Sequence, residues 1–192
     1  SEDGKYIAAG SSRPDADVKI WDSITGTNIQ SYSDDKKNVH CVAWSHDSTQ
    51  IASGTDLSKV YIHRIGEQQP ILTYSGHDSQ INTLVWAPAT VKKPYIASGS
   101  GVCSISDNCT PTDEIDQRDT SIHIWNAKTG QDILALPYQG HSTTVTTIDW
   151  SPDGRYIASG SADPHPQVQV WNAATGKTIF TYSNHKYNVY TV

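Results

Sequence analysis

Residues 140–182 read GHSTTVTTIDWSPDGRYIASGSADPHPQVQVWNAATGKTIFTY, and this stretch decides the fold. It contains four short runs rich in β-branched and aromatic residues, and turn residues separate the runs. In the Ser-Pro-Asp-Gly turn at 151–154, proline presets φ and glycine tolerates a positive φ. No helical period interrupts the runs, so the stretch predicts four short antiparallel strands.

The same pattern recurs along the chain about every 42 to 46 residues, with one gap of 62 residues. Trp21, Trp125 and Trp171 each end a third run, and His63 takes this position in the second unit. The second runs read Ile-Ala-Ala-Gly from residue 7 and Ile-Ala-Ser-Gly from residues 51, 96 and 157. A period of this length is typical of proteins whose units bury their faces against their neighbours. The sequence therefore predicts an all-β protein of four four-stranded antiparallel units.

Composition narrows the classes of partner. The 192 residues carry 14 Lys plus Arg against 20 Asp plus Glu, which argues against nucleic acid as a partner. No run approaches the roughly 20 apolar residues that span a bilayer, and no cationic start precedes an apolar leader. We therefore expect no membrane partner and a cytoplasmic location. The absence of methionine indicates a processed chain or a piece of a longer one.

The three cysteines give an odd count. Cys41 lies in an apolar strand pattern and is predicted to be a core residue. Cys103 and Cys109 flank a short loop, and the sequence leaves open whether they form a disulfide.

Several recurring motifs together carry a family resemblance. Gly-His pairs at 76–77 and 140–141, the Ser-Pro-Asp-Gly turn, the Ile-Ala-Ser-Gly runs and the Trp-Asp or Trp-Asn endings resemble those of WD-repeat β-propellers. The closely matched repeats are similar to those of bacterial members. The chain departs from the pattern where Asp34-Asp35 and Asn184-His185 replace Gly-His, and where His63 replaces tryptophan.

The resemblance implies that residues 1–192 form a single propeller region, in which each unit is one blade. The predicted units span residues 1–36, 37–78, 79–142 and 143–186. The first unit holds only the last three strands of a blade, and the third contains an insertion at 101–118.

The resemblance also implies a buried tetrad in which a histidine bridges a strand serine and an aspartate, and a tryptophan closes the network. The residues at these positions are His77, Ser98, Asp119 and Trp125 in the third unit, His141, Ser159, Asp163 and Trp171 in the fourth, and Ser53 and His185 in incomplete copies. Contacting Ser, His and Asp also describe a hydrolase triad. Because the histidines recur at the repeat spacing, we interpret them as structural and predict no catalysis.

Metal and cofactor sites are not predicted. No two histidines lie three or four residues apart, and no Cys-x-x-Cys pair occurs. The acidic run at 113–116 lacks the spacing and the glycine of a calcium loop.

The connection between second and third strands varies most in length, and the longest one spans 26 residues from Gly99 to Trp125. By resemblance, this connection lies on the rim of the central channel, where binding residues concentrate. The candidate rim residues are Arg13, Asp15, Asp17, Asp107, Asp113, Glu114, Asp116, Arg118 and His165. Their acidic balance favours a basic protein or peptide partner. The alternative is that these are tolerated surface insertions.

The two ends of the sequence match different parts of one unit. Residues 1–4 correspond to the turn at 151–154, and residues 188–192 correspond to the first strand at 38–42. This predicts a homodimer in which 187–192 of each chain completes the other's first unit, giving an eight-bladed ring. The alternative is a fragment of a longer propeller. We expect the chain to be a non-catalytic protein–protein interaction scaffold. The first alternative is a unit whose main property is assembly into a ring. A second, weaker alternative is an enzyme that uses His63 and His123 at the mouth of the channel.

Overall fold

The computed structural model describes residues 1–12, 14–33, 37–101, 119–162 and 165–192. These parts of the chain contain fourteen β-strands and no helix, and so no membrane-spanning helix. The strands are β1 (Tyr6–Gly10), β2 (Val18–Asp22), β3 (Asn28–Tyr32), β4 (Val39–Trp44), β5 (Gln50–Thr55), β6 (Val60–Arg64), β7 (Leu72–Tyr74), β8 (Ile81–Trp86), β9 (Tyr95–Ser100), β10 (Ile122–Asn126), β11 (Val145–Trp150), β12 (Tyr156–Ser161), β13 (Val168–Asn172) and β14 (Thr178–Tyr182).

The strands form four antiparallel sheets in chain order, which confirms the all-β repeat prediction. The sheets are β1–β2–β3, β4–β5–β6–β7, β8–β9–β10 and β11–β12–β13–β14. In the third sheet the outermost position holds only two isolated bridges, Ile122 with Tyr138 and Trp125 with Asp132. The chain between these bridges includes Pro137, which has no N–H to donate to a ladder, and Leu136, which turns outward into solvent.

A glycine at the fifth position of β1, β5, β9 and β12 lets the next segment approach closely. A Cβ built on Gly54 would lie 2.6 Å from Ile81 Cγ2, and one on Gly99 would lie 2.7 Å from Val145 Cγ1. The glycine and the residue that it meets are Gly10 with Val39, Gly54 with Ile81, Gly99 with Val145 and Gly160 with Val189. Any side chain at these positions would push neighbouring units apart.

A tyrosine at the end of each of the first three units covers the following unit. The stacked ring pairs are Tyr32 with His63 at 3.8 Å, Tyr74 with Trp125 at 4.3 Å and Tyr138 with Trp171 at 4.2 Å between centroids. Each tyrosine lies in a separate apolar cluster that also holds the isoleucine opposite the covered residue. The hydrophobic core therefore lies between the sheets, as expected for a repeat protein.

Residues 187–192 follow the fourth unit without joining a sheet. Val189 is buried against Gly160, and its N–H donates to the Ser161 carbonyl at 3.1 Å. Val39 makes the same bond to Ser11, also at 3.1 Å. The segment thus lies on the fourth unit as β4 lies on the first.

Candidate functional site

The third unit holds a hydrogen-bonded network of four side chains. His77 precedes β8, Ser98 lies on β9, Asp119 precedes β10 and Trp125 lies on β10. The His77 Nδ1 to Asp119 Oδ2 distance and the His77 Nε2 to Ser98 Oγ distance are both 2.8 Å. Trp125 Nε1 donates to Ser98 Oγ at 3.0 Å. A carboxylate only accepts, so His77 Nδ1–H donates to Asp119, and Ser98 Oγ links His77 Nε2 to Trp125 Nε1.

Asp119 is the most strongly bound member of this network. It also accepts hydrogen bonds from the Ser121 N–H at 2.9 Å, from the Ser121 hydroxyl and from the Asp78 N–H at 3.2 Å. Burial by itself raises the pKa of the Asp119 carboxyl, but the hydrogen bonds from His77 and Ser121 outweigh it and hold the pKa well below its usual range. The carboxylate therefore fixes the loop before β8 to the chain that enters β10.

The fourth unit repeats three of these positions. His141 Nε2 lies 2.7 Å from Ser159 Oγ, and Trp171 Nε1 donates to Ser159 Oγ at 3.2 Å. Asp163, the fourth predicted member, lies outside the described residues, among which His141 Nδ1 has no hydrogen-bond partner. Burial lowers the pKa of His141 to about 4, so its imidazole is neutral at pH 7.

The other two units do not assemble such a network among the described residues. Ser53 is buried at the corresponding position of β5, but its Oγ has no hydrogen-bond partner in the part of the chain that the structure describes. Ala9 replaces the serine in the first unit, so no hydroxyl is present there. His185 is exposed and makes only an edge contact with Tyr182, at 5.0 Å between centroids.

The described geometry fits a known repeat pattern. The family model described as "WD domain, G-beta repeat" matches residues 26–63 and 133–165. In these two stretches the chain is similar to WD repeats.

Similar proteins share these repeats. "WD repeat-containing protein slp1" of Schizosaccharomyces pombe is 27% identical over 88% of this chain and 30% of its own length. "Protein FIZZY-RELATED 2" of Arabidopsis thaliana is 25% identical over 80% of this chain and 28% of its own. This chain thus spans less than a third of either relative. Both are eukaryotic, so a bacterial origin stays a prediction.

A solved structure shows the same fold. A chain in a crystal structure of a mitotic checkpoint complex superposes with a TM-score of 0.78 at 22% sequence identity. The superposition covers 97% of this chain and 54% of that chain. The four units therefore have the arrangement of blades in a propeller and match about half of the longer chain.

The buried serines of the third and fourth units are poorly placed for acyl transfer. Ser98 and Ser159 are both 0% exposed, and a nucleophile must reach its substrate. In each network the serine lies between a histidine and a tryptophan, so its hydrogen bonds are already used within the fold. The Ser-His-Asp contact in the third unit thus holds the loop before β8 against β9 and the chain that enters β10, and we call this contact the staple.

A second polar cluster, which the sequence analysis missed, joins the second and third units. Tyr74 Oη donates to Asp132 Oδ1 at 2.7 Å and accepts from His123 Nδ1, also at 2.7 Å. Burial, together with the nearby His77, lowers the pKa of His123. The recurrence of tyrosine at 32, 74, 138 and 182 was the available signal for these contacts.

One group of side chains has the composition of a metal site. Nitrogen or oxygen atoms of His77, Asp119 and His123 all lie within 4.8 Å of one another. Both ring nitrogens of His77, however, already hydrogen-bond Asp119 and Ser98. Metal binding here would require the staple of the third unit to open.

Three of the predicted rim residues lie in the described part of the chain. Lys19 pairs with Asp15 at 3.5 Å and Asp17 at 3.6 Å, and the Ser11 hydroxyl donates to Asp17 at 2.7 Å. His165 is exposed. Outside the described residues lie Arg13, Asp107, Asp113, Glu114, Asp116 and Arg118, as well as Cys103 and Cys109. The Asp17 side chain is therefore bound to Ser11 and Lys19 next to its own loop, whereas Asp15 and His165 are exposed to solvent.

Proposed function

We propose that this chain is a non-catalytic scaffold that binds a protein through the rim of loops around the propeller channel. The observation that carries the proposal is the buried network of His77, Ser98, Asp119 and Trp125, whose polar groups bond one another inside the unit. A fully satisfied buried network fixes one geometry. Loops that leave such a rigid support lose less entropy on binding.

The connection at 101–118 is the preferred binding element. Both points where it meets the fold are anchored: the Gly101 carbonyl accepts from Asn82 Nδ2 at 2.7 Å, and Asp119 is held by His77. Its sequence carries four acidic residues, Asp107, Asp113, Glu114 and Asp116, before Arg118. This charge favours a basic surface or peptide.

The relatives support a role in protein assemblies. The structural neighbour belongs to a crystallised mitotic checkpoint complex, and one relative is named as a B-type cell cycle switch protein of Medicago truncatula. Because this chain spans only part of each relative's length, we carry over only the general role of binding other proteins.

Peptide binding tests the acidic loop directly. We expect a labelled lysine-rich peptide to bind in fluorescence anisotropy, and a glutamate-rich peptide of equal length not to bind. Combining Asp113→Asn, Glu114→Gln and Asp116→Asn should weaken binding about tenfold, since exposed charges each contribute a fraction of a kcal/mol. Asp78→Asn, an exposed acidic residue on a neighbouring loop, is the control. Equal binding by all variants would exclude the loop as the docking site.

An esterase assay tests the proposal that the chain is not a catalyst. We expect no hydrolysis of p-nitrophenyl acetate above the buffer rate, with or without Ser98→Ala. Hydrolysis that Ser98→Ala abolishes would overturn the proposal.

Self-association into a ring is a second candidate function, and one observation favours it. Ile7 is 56% exposed, whereas its counterparts Ile51, Ile96 and Ile157 are exposed by 1% or less because a preceding unit covers them. The face of the first unit that carries Ile7 is thus of the kind that another unit covers elsewhere in the chain.

A further inference from the structure

We propose that Ser100 is the residue that positions the acidic connection at 101–118 for binding. Its hydroxyl bonds the chain at 119–121, where the connection returns to the sheet, and we call this contact the neck of the connection. The inference rests on the scaffold function proposed above. It adds the side chain that holds the binding element in place.

The Ser100 hydroxyl bonds the returning chain directly. Ser100 ends β9 and is 0% exposed, and the last ladder pair between β9 and β10 joins Gly99 to Ile122. Its Oγ donates to the Asp119 carbonyl at 2.9 Å and also lies 3.4 Å from the Ser121 carbonyl. Buried carbonyl groups need a donor, so the hydroxyl continues the attachment of the two chains beyond the end of the ladder.

A hydroxyl residue follows the glycine of the second strand in all four units, and in each unit it bonds the returning backbone. In the other three units, Ser11 Oγ accepts from the Asp17 N–H at 3.1 Å, Thr55 Oγ1 donates to the Lys59 carbonyl at 3.2 Å, and Ser161 Oγ accepts from the Gln167 N–H at 3.0 Å. The neck is therefore a feature of the repeat, and Thr55 shows that threonine can form it as well.

The connections that the four necks close differ several-fold in length. They run over residues 12–16, 56–58, 101–120 and 162–166. The backbone N–H of each hydroxyl residue nevertheless donates across the neck at 2.9, 3.1, 3.2 and 3.0 Å in chain order. The cost of closing a loop grows only slowly with its length. The neck therefore allows a long connection without a change in the strands that carry it.

The neck of the third unit is also bound to its surroundings. The Gly101 carbonyl accepts from Asn82 Nδ2 at 2.7 Å, and Thr120 Oγ1 donates to the His141 carbonyl at 3.0 Å. One side of the neck is thus held by β8 and the other by the loop that enters the fourth unit. The Ser100 side chain is the group that ties these two sides to each other.

A fixed neck lowers the entropy that the connection loses when a partner binds. Ser100→Ala removes the hydroxyl but leaves every acidic residue of the connection in place. A loss of affinity in this variant would therefore report on the position of the connection and not on its charge.

Peptide binding in fluorescence anisotropy tests this role with the labelled lysine-rich peptide. Ser100→Ala should raise the dissociation constant about fivefold, the effect expected from one net hydrogen bond. Ser100→Thr should restore the affinity, because Thr55 makes the same contact. Ser161→Ala, which opens the corresponding neck of the fourth unit, is the matched control and should bind as the wild type does. Equal weakening by both alanine variants, no weakening by Ser100→Ala, or a loss that Ser100→Thr does not restore would overturn the role of Ser100.

Amide hydrogen exchange tests the neck without any peptide. The N–H groups of residues 100 and 101 donate to the Ser121 and Gln80 carbonyls, both at 3.2 Å. We expect them to exchange about fivefold faster in Ser100→Ala, and at the wild-type rate in Ser161→Ala. Unchanged exchange in Ser100→Ala would refute the neck, whatever the peptide does. A wild-type chain that binds no lysine-rich peptide would instead overturn the scaffold proposal, and the exchange rates would then decide alone whether Ser100 holds the connection.

Discussion

Replacing Ser98 by alanine removes one hydroxyl from the centre of the buried network, and we expect the folded state to lose stability for that reason. The Ser98 Oγ accepts from Trp125 Nε1 at 3.0 Å and bonds His77 Nε2 at 2.8 Å. All three side chains are buried, so no water replaces the lost partner. Alanine leaves the tryptophan N–H and the imidazole nitrogen without partners at once.

The expected size of the effect follows from these two orphaned groups. Each buried unsatisfied polar group costs about 1–3 kcal/mol. Ser98→Ala should therefore lower the free energy of unfolding by about 2–6 kcal/mol. For a chain of 150–250 residues, each kcal/mol shifts the melting temperature by about 2–4 °C, so the expected drop is about 4–24 °C.

The chain offers a matched control in Ser53. It occupies the same repeat position on β5 and is equally buried, but its Oγ has no hydrogen-bond partner among the described residues. Ser53→Ala should not lower the free energy of unfolding, because it removes a buried hydroxyl that has no partner among the described residues. Ser159→Ala, which disrupts the bonds to His141 and Trp171, should behave like Ser98→Ala.

Thermal unfolding followed by circular dichroism, at one fixed protein concentration for all variants, measures these differences. Equal losses for Ser98→Ala and Ser53→Ala would refute the reasoning, because the serine would then matter only for packing. A loss below about 0.5 kcal/mol for Ser98→Ala would also refute it.

Three further predictions concern other buried groups. The pKa of His141 lies near 4 in the folded state against 6.5 for the free group, so the unfolded chain binds more protons between these values. The free energy of unfolding should be highest above pH 6.5 and fall by about 3 kcal/mol as the pH drops to 4. Melting curves recorded across this range should show a smaller loss for His141→Gln. An equal pH dependence in this variant would show that His141 is not the group responsible. Tyr74→Phe should lower the free energy of unfolding in urea by about 1–2 kcal/mol, because it removes the hydroxyl bound to His123 and Asp132 but keeps the stack on Trp125. An unchanged free energy would show that the hydroxyl contributes nothing to stability. Gly99→Ala should cost about 1–3 kcal/mol in the same assay, because its Cβ would lie 2.7 Å from Val145 Cγ1; a stabilised variant would refute the close approach.

The sequence predicted the strands well because the repeated residues have the same physical task in every unit. The Ile-Ala-Ser-Gly runs all became second strands, and Trp21, Trp125 and Trp171 all ended third strands or preceded their last residue. Such positions depend mainly on local pattern and on burial within the repeat. His77, Ser98 and Trp125 were identified as a network through the resemblance to WD-repeat proteins.

Contacts between units were harder to predict. Tyr74 looks like an ordinary strand residue in the sequence, and its stack on Trp125 depends on the angle between two sheets. The sequence pattern also predicted a full outermost strand in the third unit, where the structure has only two bridges around Pro137. One proline in a short edge segment outweighs an apolar run, because it removes a ladder donor.

The unequal distribution of these contacts separates two kinds of interaction in the fold. The aromatic stack occurs at all three internal junctions, including the one where His63 replaces tryptophan. The serine–histidine–tryptophan network, in contrast, is assembled only in the third and fourth units among the described residues. Packing between units therefore sets their spacing everywhere, while the polar network fixes loops only where it is complete. The fold therefore accommodates Ala9, and a Ser53 hydroxyl with no partner among the described residues, at the repeat position where Ser98 and Ser159 bond histidine and tryptophan.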